Sequence, residues 1–174
     1  MISAVLTSFY LFLPAYFANM CPVIAASLKL PLGHPINEKI FGSHKTYRGF
    51  IGGFVGALLI LIIQTFLFKN GYFVSVSILE YSFSNIPLYA FVFGVGALTG
   101  DIVKSFFKRL LKIKPGAPFI PFDQIDFILG AFIFSLIFFQ IPLKNLVAAL
   151  LITPFLHLLT NVIAYFLGLK KVWY

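Results

Sequence analysis

Acid is what this sequence has least of. Five of its 174 residues are Asp or Glu, against thirteen Lys and Arg, and charges of both signs make up only 10% of the chain. Cysteine occurs once, as Cys21, which excludes an internal disulfide or a thiolate metal cluster and leaves a small apolar side chain. No GxSxG, HExxH, P-loop or paired-His motif is present, so the common hydrolase, zinc-protease and P-loop signatures are missing. Polar surface is scarce as well. The chain is 60% hydrophobic and 18% aromatic, with a mean hydropathy of +1.00, well beyond a soluble globular domain. The composition therefore points to an all-α integral membrane protein forming a single transmembrane domain over residues 1–174, with too little outside the apolar runs for a second core. In such a chain a net charge of +8 sets topology or faces anionic headgroups, so no nucleic-acid partner is expected.

Five stretches approach the roughly 20 apolar residues that a membrane crossing requires. They lie at about residues 3–28, 49–68, 86–107, 126–142 and 145–169, and the last two are separated by so little chain that they should form a tight helical hairpin. The amino terminus lacks the basic n-region of a signal peptide, so the first span is expected to be retained. Lys29, Lys39, Lys45 and Arg48 follow span one; Lys108, Arg109, Lys112 and Lys114 follow span three; Lys170 and Lys171 form a basic tail. By the positive-inside rule these segments are cytoplasmic and the N-terminus is outside, giving a multi-pass protein of the cytoplasmic membrane whose charged face looks into the cytoplasm. The opposite loop, residues 69–85, carries no motif with a chemical meaning.

Three of the five acids fall in one stretch, "GDIVKSFFKRLLKIKPGAPFIPFDQID" at 100–126, together with five of the thirteen basic residues. Helical spacing places Asp101, Ser105, Lys108 and Lys112 in a stripe about 60° wide, with Arg109 at its border. An acid at membrane level is costly unless it faces a polar cavity, a partner or a metal. A simpler account has Asp101 paired with Lys104 or Lys108 and the other cations acting as topology signals. Asp123 and Asp126, three apart at the start of the fourth span, point to one side of a helical turn and repel unless cations intervene. Helix capping explains one of these acids but not the grouping. Hard oxygen ligands without His or Cys suit Mg²⁺.

A second cluster, "GSHKTYRGFIGG" at 42–53, precedes span two on the same expected face. Lys45 and Arg48 offer phosphate donors, Thr46 a hydroxyl, and the glycines close approach, although topology and helix packing account for the same residues. Carboxylates for a divalent ion beside phosphate-binding cations describe a phosphoryl-transfer site with an anionic substrate. Deeper in the spans, Gln64 and His157 read as interhelical hydrogen bonders, while Asn19, beside a proline-broken helix, and Asn161 read equally well as packing or as cavity lining.

The pattern "GDIVKSFFKR…K…D…D" resembles the signature of the CTP-dependent lipid-phosphate cytidylyltransferases, and "HKTYRGFIGG" is similar to the Lys-Thr-x-x-Gly element of that family. "LPAYFANMCP", "TPFLHLLTN" and the ending "LGLKKVW" resemble its archaeal branch, the CDP-archaeol synthases. The bacterial signature has a His-Gly-Gly run and an Arg between its last two aspartates. Here "APFIPF" and Gln124 stand instead, which favours the archaeal branch. The resemblance implies transfer of a cytidylyl group from CTP to unsaturated archaetidic acid with Mg²⁺, giving CDP-archaeol and pyrophosphate. It implies Asp101, Asp123 and Asp126 as metal-site acids, with Ser105, Lys108, Arg109 and Lys114 on the phosphate side and Lys45, Thr46 and Arg48 from the second element. CTP, a lipid phosphate and membrane lipids are the partners expected. A CTP-dependent polyprenol kinase, a small cation channel or transporter, and a purely structural membrane subunit are the rival classes.

Overall fold

Long apolar runs must satisfy their backbone polar groups within the segment, so they become helices, here even across Pro14, Pro22 and Pro154. In the computed structural model, which describes residues 2–114 and 117–169, they do so throughout. Helix α1 (Ile2–Ser27) is followed by one turn, α2 (Glu38–Phe41), and then α3 (Tyr47–Lys69). Next, α4 (Ile86–Tyr89) runs through a π-helical stretch (Ala90–Val95) into α5 (Gly96–Leu110), and α6 (Phe122–Phe138) and α7 (Leu143–Phe166) complete the chain. Among the described residues there is no β-strand, only an isolated bridge between Pro35 and Thr46. Lys170, Lys171 and the rest of the "KKVW" ending lie outside the described residues.

Four segments are long and apolar enough to cross a membrane: Ala4–Ser27, Tyr47–Lys69, Phe83–Leu110 and Leu143–Phe166. The fourth expected span, 126–142, is observed as the 17-residue α6, shifted one turn toward the N-terminus. Pro121 precedes it, as suits a proline whose missing N–H falls at a helix start. Asp123 therefore lies in the first turn of α6. Four residues join α6 to α7, the expected tight hairpin.

α1 lies along α3, and α5 along α6. Helix association in lipid depends on close packing and hydrogen bonds rather than on hydrophobicity, which makes small residues decisive. A methyl group built on Gly100 would stand 2.3 Å from the Asp126 carbonyl oxygen, and one on Gly130 would stand 2.3 Å from that of Gly96. The backbones of α5 and α6 therefore touch at these glycines, one residue before Asp101 and beside Asp126. Gly100→Ala is expected to push the helices apart and to destabilise the fold by about 1–3 kcal/mol, the usual cost of overpacking. A lower thermal midpoint in detergent would show it; an unchanged midpoint would mean that the two backbones do not meet there.

Polar bonds pin the remaining helices. Gln64 donates to the Tyr10 carbonyl at 2.6 Å, the interhelical bond expected of it, Tyr16 and Thr153 hydroxyls lie 2.7 Å apart, and Asn145 donates to Ser8 Oγ at 3.1 Å. The loop between α3 and α4 is not bare connection, since Tyr81 is buried against the rings of Tyr10, Phe68 and Tyr89.

Candidate active site

The α5–α6 contact gathers the rare acids of the chain around one ammonium. Lys104 Nζ is 3.0 Å from Asp101 Oδ1, 3.1 Å from Asp123 Oδ1 and 3.0 Å from Asp126 Oδ2. Lys45, at the entry to α3, pairs with the other oxygen of Asp101. Lys108 holds Asp123 at 3.0 and 3.1 Å and donates to the Ala117 carbonyl at 2.6 Å, while the Phe119 N–H donates to Asp123 Oδ2 at 2.6 Å. Three acids and three lysines from separate parts of the sequence thus form one alternating cluster, with Lys104 at its centre. All are largely withdrawn from the surface: Lys104 is 13% exposed and Asp126 is 5% exposed.

The three acids have different surroundings. Asp123 is fixed by a lysine and a backbone donor, and Asp101 by two lysines. Asp126 meets Lys104 at a distance of 3.0 Å but out of hydrogen-bond alignment, and its Oδ1 accepts no hydrogen bond from the described residues. A buried carboxylate oxygen without a donor is costly unless a cation compensates it. The donor set is oxygen only, as Mg²⁺ prefers. Spread around an ammonium, the acids are not a ready-made metal cage, and no such group of three exists among the described residues. The N···O distances of 3.0–3.1 Å compare with about 2.0–2.1 Å for Mg²⁺–O. In donor chemistry alone, the carboxylates of Asp101, Asp123 and Asp126 are the residues that would hold such an ion.

The other expected site residues are spread more widely. Thr46 caps α3, accepting from the Gly49 N–H at 3.1 Å, and with His44, Lys45 and Asp101 it lines a small hollow beside the cluster. Arg48 donates to the Leu30 carbonyl at 2.8 Å, tying down the loop after α1. Ser105 donates to the Asp101 carbonyl at 2.8 Å, within its own helix. Arg109 reaches toward Gly42 at the end of α2. α5 ends at Leu110, so Lys112 leaves the helical stripe on a positive φ of 57°, and both it and Lys114 are exposed. Asn19 and Asn161 line, with His157, a cavity of about 230 Å³ between α1 and α7. His157 Nδ1 lies 3.4 Å from Asn161 Nδ2, one turn along α7.

Two residues with no assigned site role enter the site. Lys104 appears in the sequence only as a local partner for Asp101; its position about 60° round the helix from that residue was the available signal, but the acids it joins belong to another helix. His44 is the second. On the far side of the cluster, Lys104 and Asp126 border a cavity of about 500 Å³ between α5 and α6, whose other walls include Val103, Phe107, Phe122 and Ile133.

A family model described as CarS-like, CDP-archaeol synthase, matches residues 1–174. Among curated proteins, the CDP-archaeol synthase of Pyrococcus furiosus is 38% identical over 97% of this chain and 97% of its own length. That of Methanocaldococcus jannaschii is 38% identical over 96% of each, and that of Thermofilum pendens 38% identical over 92% of this chain and 76% of its own. One solved structure, described as an intramembrane enzyme for archaeal membrane lipids biosynthesis, superposes with a TM-score of 0.69 at 27% identity, covering 88% of this chain and 92% of that one.

Proposed function

Since the chain belongs to the CDP-archaeol synthase family, we propose that its acid–lysine cluster is where the cytidylyl group of CTP is joined to a lipid phosphate. Family membership makes this multi-pass membrane protein a CTP-using cytidylyltransferase of archaeal lipid biosynthesis. The finer substrate is 2,3-bis-O-(geranylgeranyl)-glycerol 1-phosphate, and the products are CDP-archaeol and pyrophosphate. The observation that carries the proposal is the convergence of Asp101, Asp123 and Asp126 on a single point, flanked by Lys45 and Lys108.

A phosphate monoester is already an anionic nucleophile, so the reaction needs no strong general base. It needs two anions brought together and aligned. An oxygen of the lipid phosphate forms a bond to the α-phosphorus of CTP, the bond from that phosphorus to the β-phosphate bridging oxygen breaks, and pyrophosphate leaves with the electron pair. Mg²⁺ held by Asp101, Asp123 and Asp126 would supply charge neutralisation at the triphosphate. Lys45 and Lys108, already directed at these acids, give the triphosphate positive charge, with Arg109 and Lys114 at the outer edge. Thr46, Arg48, Ser105 and Lys112 support the same face, and Asn19 and Asn161 offer polar contacts in the α1–α7 cavity. In membrane terms, α6 is the fourth of five crossings, the N-terminus is outside, and the cluster opens to the cytoplasm. That arrangement places the Lys45 and Lys108 loops together on the positive side.

Product identity tests the reaction. CTP labelled at the α-phosphorus should transfer its label to the lipid, and CTP labelled at the γ-phosphorus should release it as pyrophosphate. Label passing from the γ-position into lipid would instead identify a kinase. Lys45→Ala is expected to raise the KM for CTP by about tenfold, the scale of a lost charge-assisted contact, with little change in thermal midpoint. Equal loss of CTP use and stability would make Lys45 a structural partner of Asp101 only.

A further inference from the structure

The segment that joins α3 to α4, residues 70–85, carries a single charged side chain, Glu80, and lies at the end of the helices away from the acid–lysine cluster. It does not run clear of them. Tyr10 is eight residues into α1, about 12 Å along its axis, and its carbonyl takes the Gln64 hydrogen bond five residues, or about 7 Å, before α3 ends. The Phe73 ring, four residues past that end, stacks on the Tyr10 ring at 5.5 Å. The chain has therefore turned back beside the spans. Further contacts fix it there: the buried Tyr81 ring lies 5.8 Å from those of Tyr10 and Phe68, and the Glu80 carbonyl accepts from the Tyr89 hydroxyl at 3.1 Å and from Asn85 Nδ2 at 3.0 Å.

So held, the segment sorts its side chains. Val76, Leu79 and Tyr81 pack inward, while Tyr72 (61% exposed), Phe73 (53%), Val74 (49%) and Phe83 (53%) face out. Rings fixed outward by buried contacts, at the level of membrane-spanning helices, form an apolar patch made for lipid rather than water. Lys69 ends α3 with its ammonium 4.5 Å from the centre of the Phe83 ring, a cation on an aromatic face of the kind that membrane boundaries favour. The same surface continues along α3 at Ile62, Ile63 and Phe66, exposed on a helix long and apolar enough to cross the bilayer. We propose that residues 72–83 are an interfacial anchor, inserted at the boundary between headgroups and hydrocarbon in the leaflet opposite the cluster. Phe73 and Phe83 lie in the upper hydrocarbon there, and Lys69 lies at phosphate level. Such an anchor fixes the depth of the helices and so holds the cluster, one span away, at the other boundary. It stands independently of the reaction assigned to the cluster.

Depth-dependent fluorescence quenching tests the anchor. Trp173 is the chain's single tryptophan. In a Trp173→Phe background, Phe73→Trp and Phe83→Trp each put a reporter in the segment, and Ile62→Trp puts one on α3 about 10 Å deeper than Lys69. The full chain is reconstituted into phosphatidylcholine vesicles. Lipid brominated near the headgroup should quench both segment reporters at least about twofold more than lipid brominated near the chain ends, and the order should reverse for Ile62→Trp. Aqueous acrylamide should quench the segment reporters at least about threefold less than it quenches free tryptophan. Two positions are used because a change at Phe73 disturbs its stack on Tyr10, whereas one at Phe83 does not. If acrylamide reaches both reporters as freely as it reaches the amino acid, and brominated lipid leaves them unquenched, the segment stands in water and the anchor is overturned. Protection of both from lipid and from acrylamide would overturn it as well, giving this face to a second copy of the chain.

Discussion

Asp126→Asn is expected to lower kcat for CDP-lipid formation by roughly 100-fold or more, the scale on which removing one preorganised electrostatic group from a charge-transfer site acts, while the protein remains folded. The substitution keeps the shape and removes one negative charge. Of the three acids, Asp126 does the least structural work: Asp123 fastens the chain at Phe119 and Lys108, and Asp101 ties α5 to Lys45, whereas Asp126 Oδ1 accepts no hydrogen bond from the described residues. Its loss should therefore appear in turnover and metal dependence more than in stability. Asp101→Asn should lose comparable activity but also some thermal stability, because two lysines depend on it. Kinetics at saturating CTP together with a thermal melt separate these effects. Wild-type turnover in Asp126→Asn would remove this residue from the metal site.

Lys104→Met is expected to produce the largest loss of stability of any single change in the cluster. It leaves three mostly buried carboxylates facing one another without the ammonium between them. Uncompensating a buried ion pair typically costs about 3–5 kcal/mol, which corresponds to a fall of about 10 °C in thermal midpoint for a chain of this size. Adding Asp126→Asn to Lys104→Met removes part of the repulsion and should recover some of the loss, a non-additivity that a double-mutant cycle would report directly. Divalent cation should also stabilise Lys104→Met more than it stabilises wild type, because nothing then competes for the carboxylates. Additive effects and equal stabilisation by the ion would mean that Lys104 and the acids act independently.

The helices were legible because apolar runs of membrane length leave the backbone little alternative. The acids were legible because so few exist: three of five in one short stretch stand out in a chain with almost no negative charge. The centre of the cluster was not. Lys104 lies about 60° round α5 from Asp101, off the stripe that groups Asp101 with Ser105 and Lys108, and only the approach of α6 at Gly100 and Gly130 gives it two further partners. α6 begins one turn before the apolar run predicts, because "APFIPF" reads as loop whereas Pro121 is tolerated at a helix entry. The helical stripe that includes Lys112 runs past the end of α5, which the chain leaves two residues earlier. The burial of Tyr81 depends on rings from three other segments, which periodicity within one segment cannot reveal.

Binding of Mn²⁺, which shares the preference of Mg²⁺ for oxygen ligands, tests the central claim most directly, because electron paramagnetic resonance counts bound and free ion without turnover. Purified wild-type protein with CTP should bind Mn²⁺ at a site that Mg²⁺ competes for, and Asp101→Asn and Asp126→Asn should each weaken that binding by at least tenfold while still melting cooperatively. Wild-type Mn²⁺ affinity in both folded variants would contradict the account, since the acids gathered around Lys104 would then hold the helices together without holding the ion.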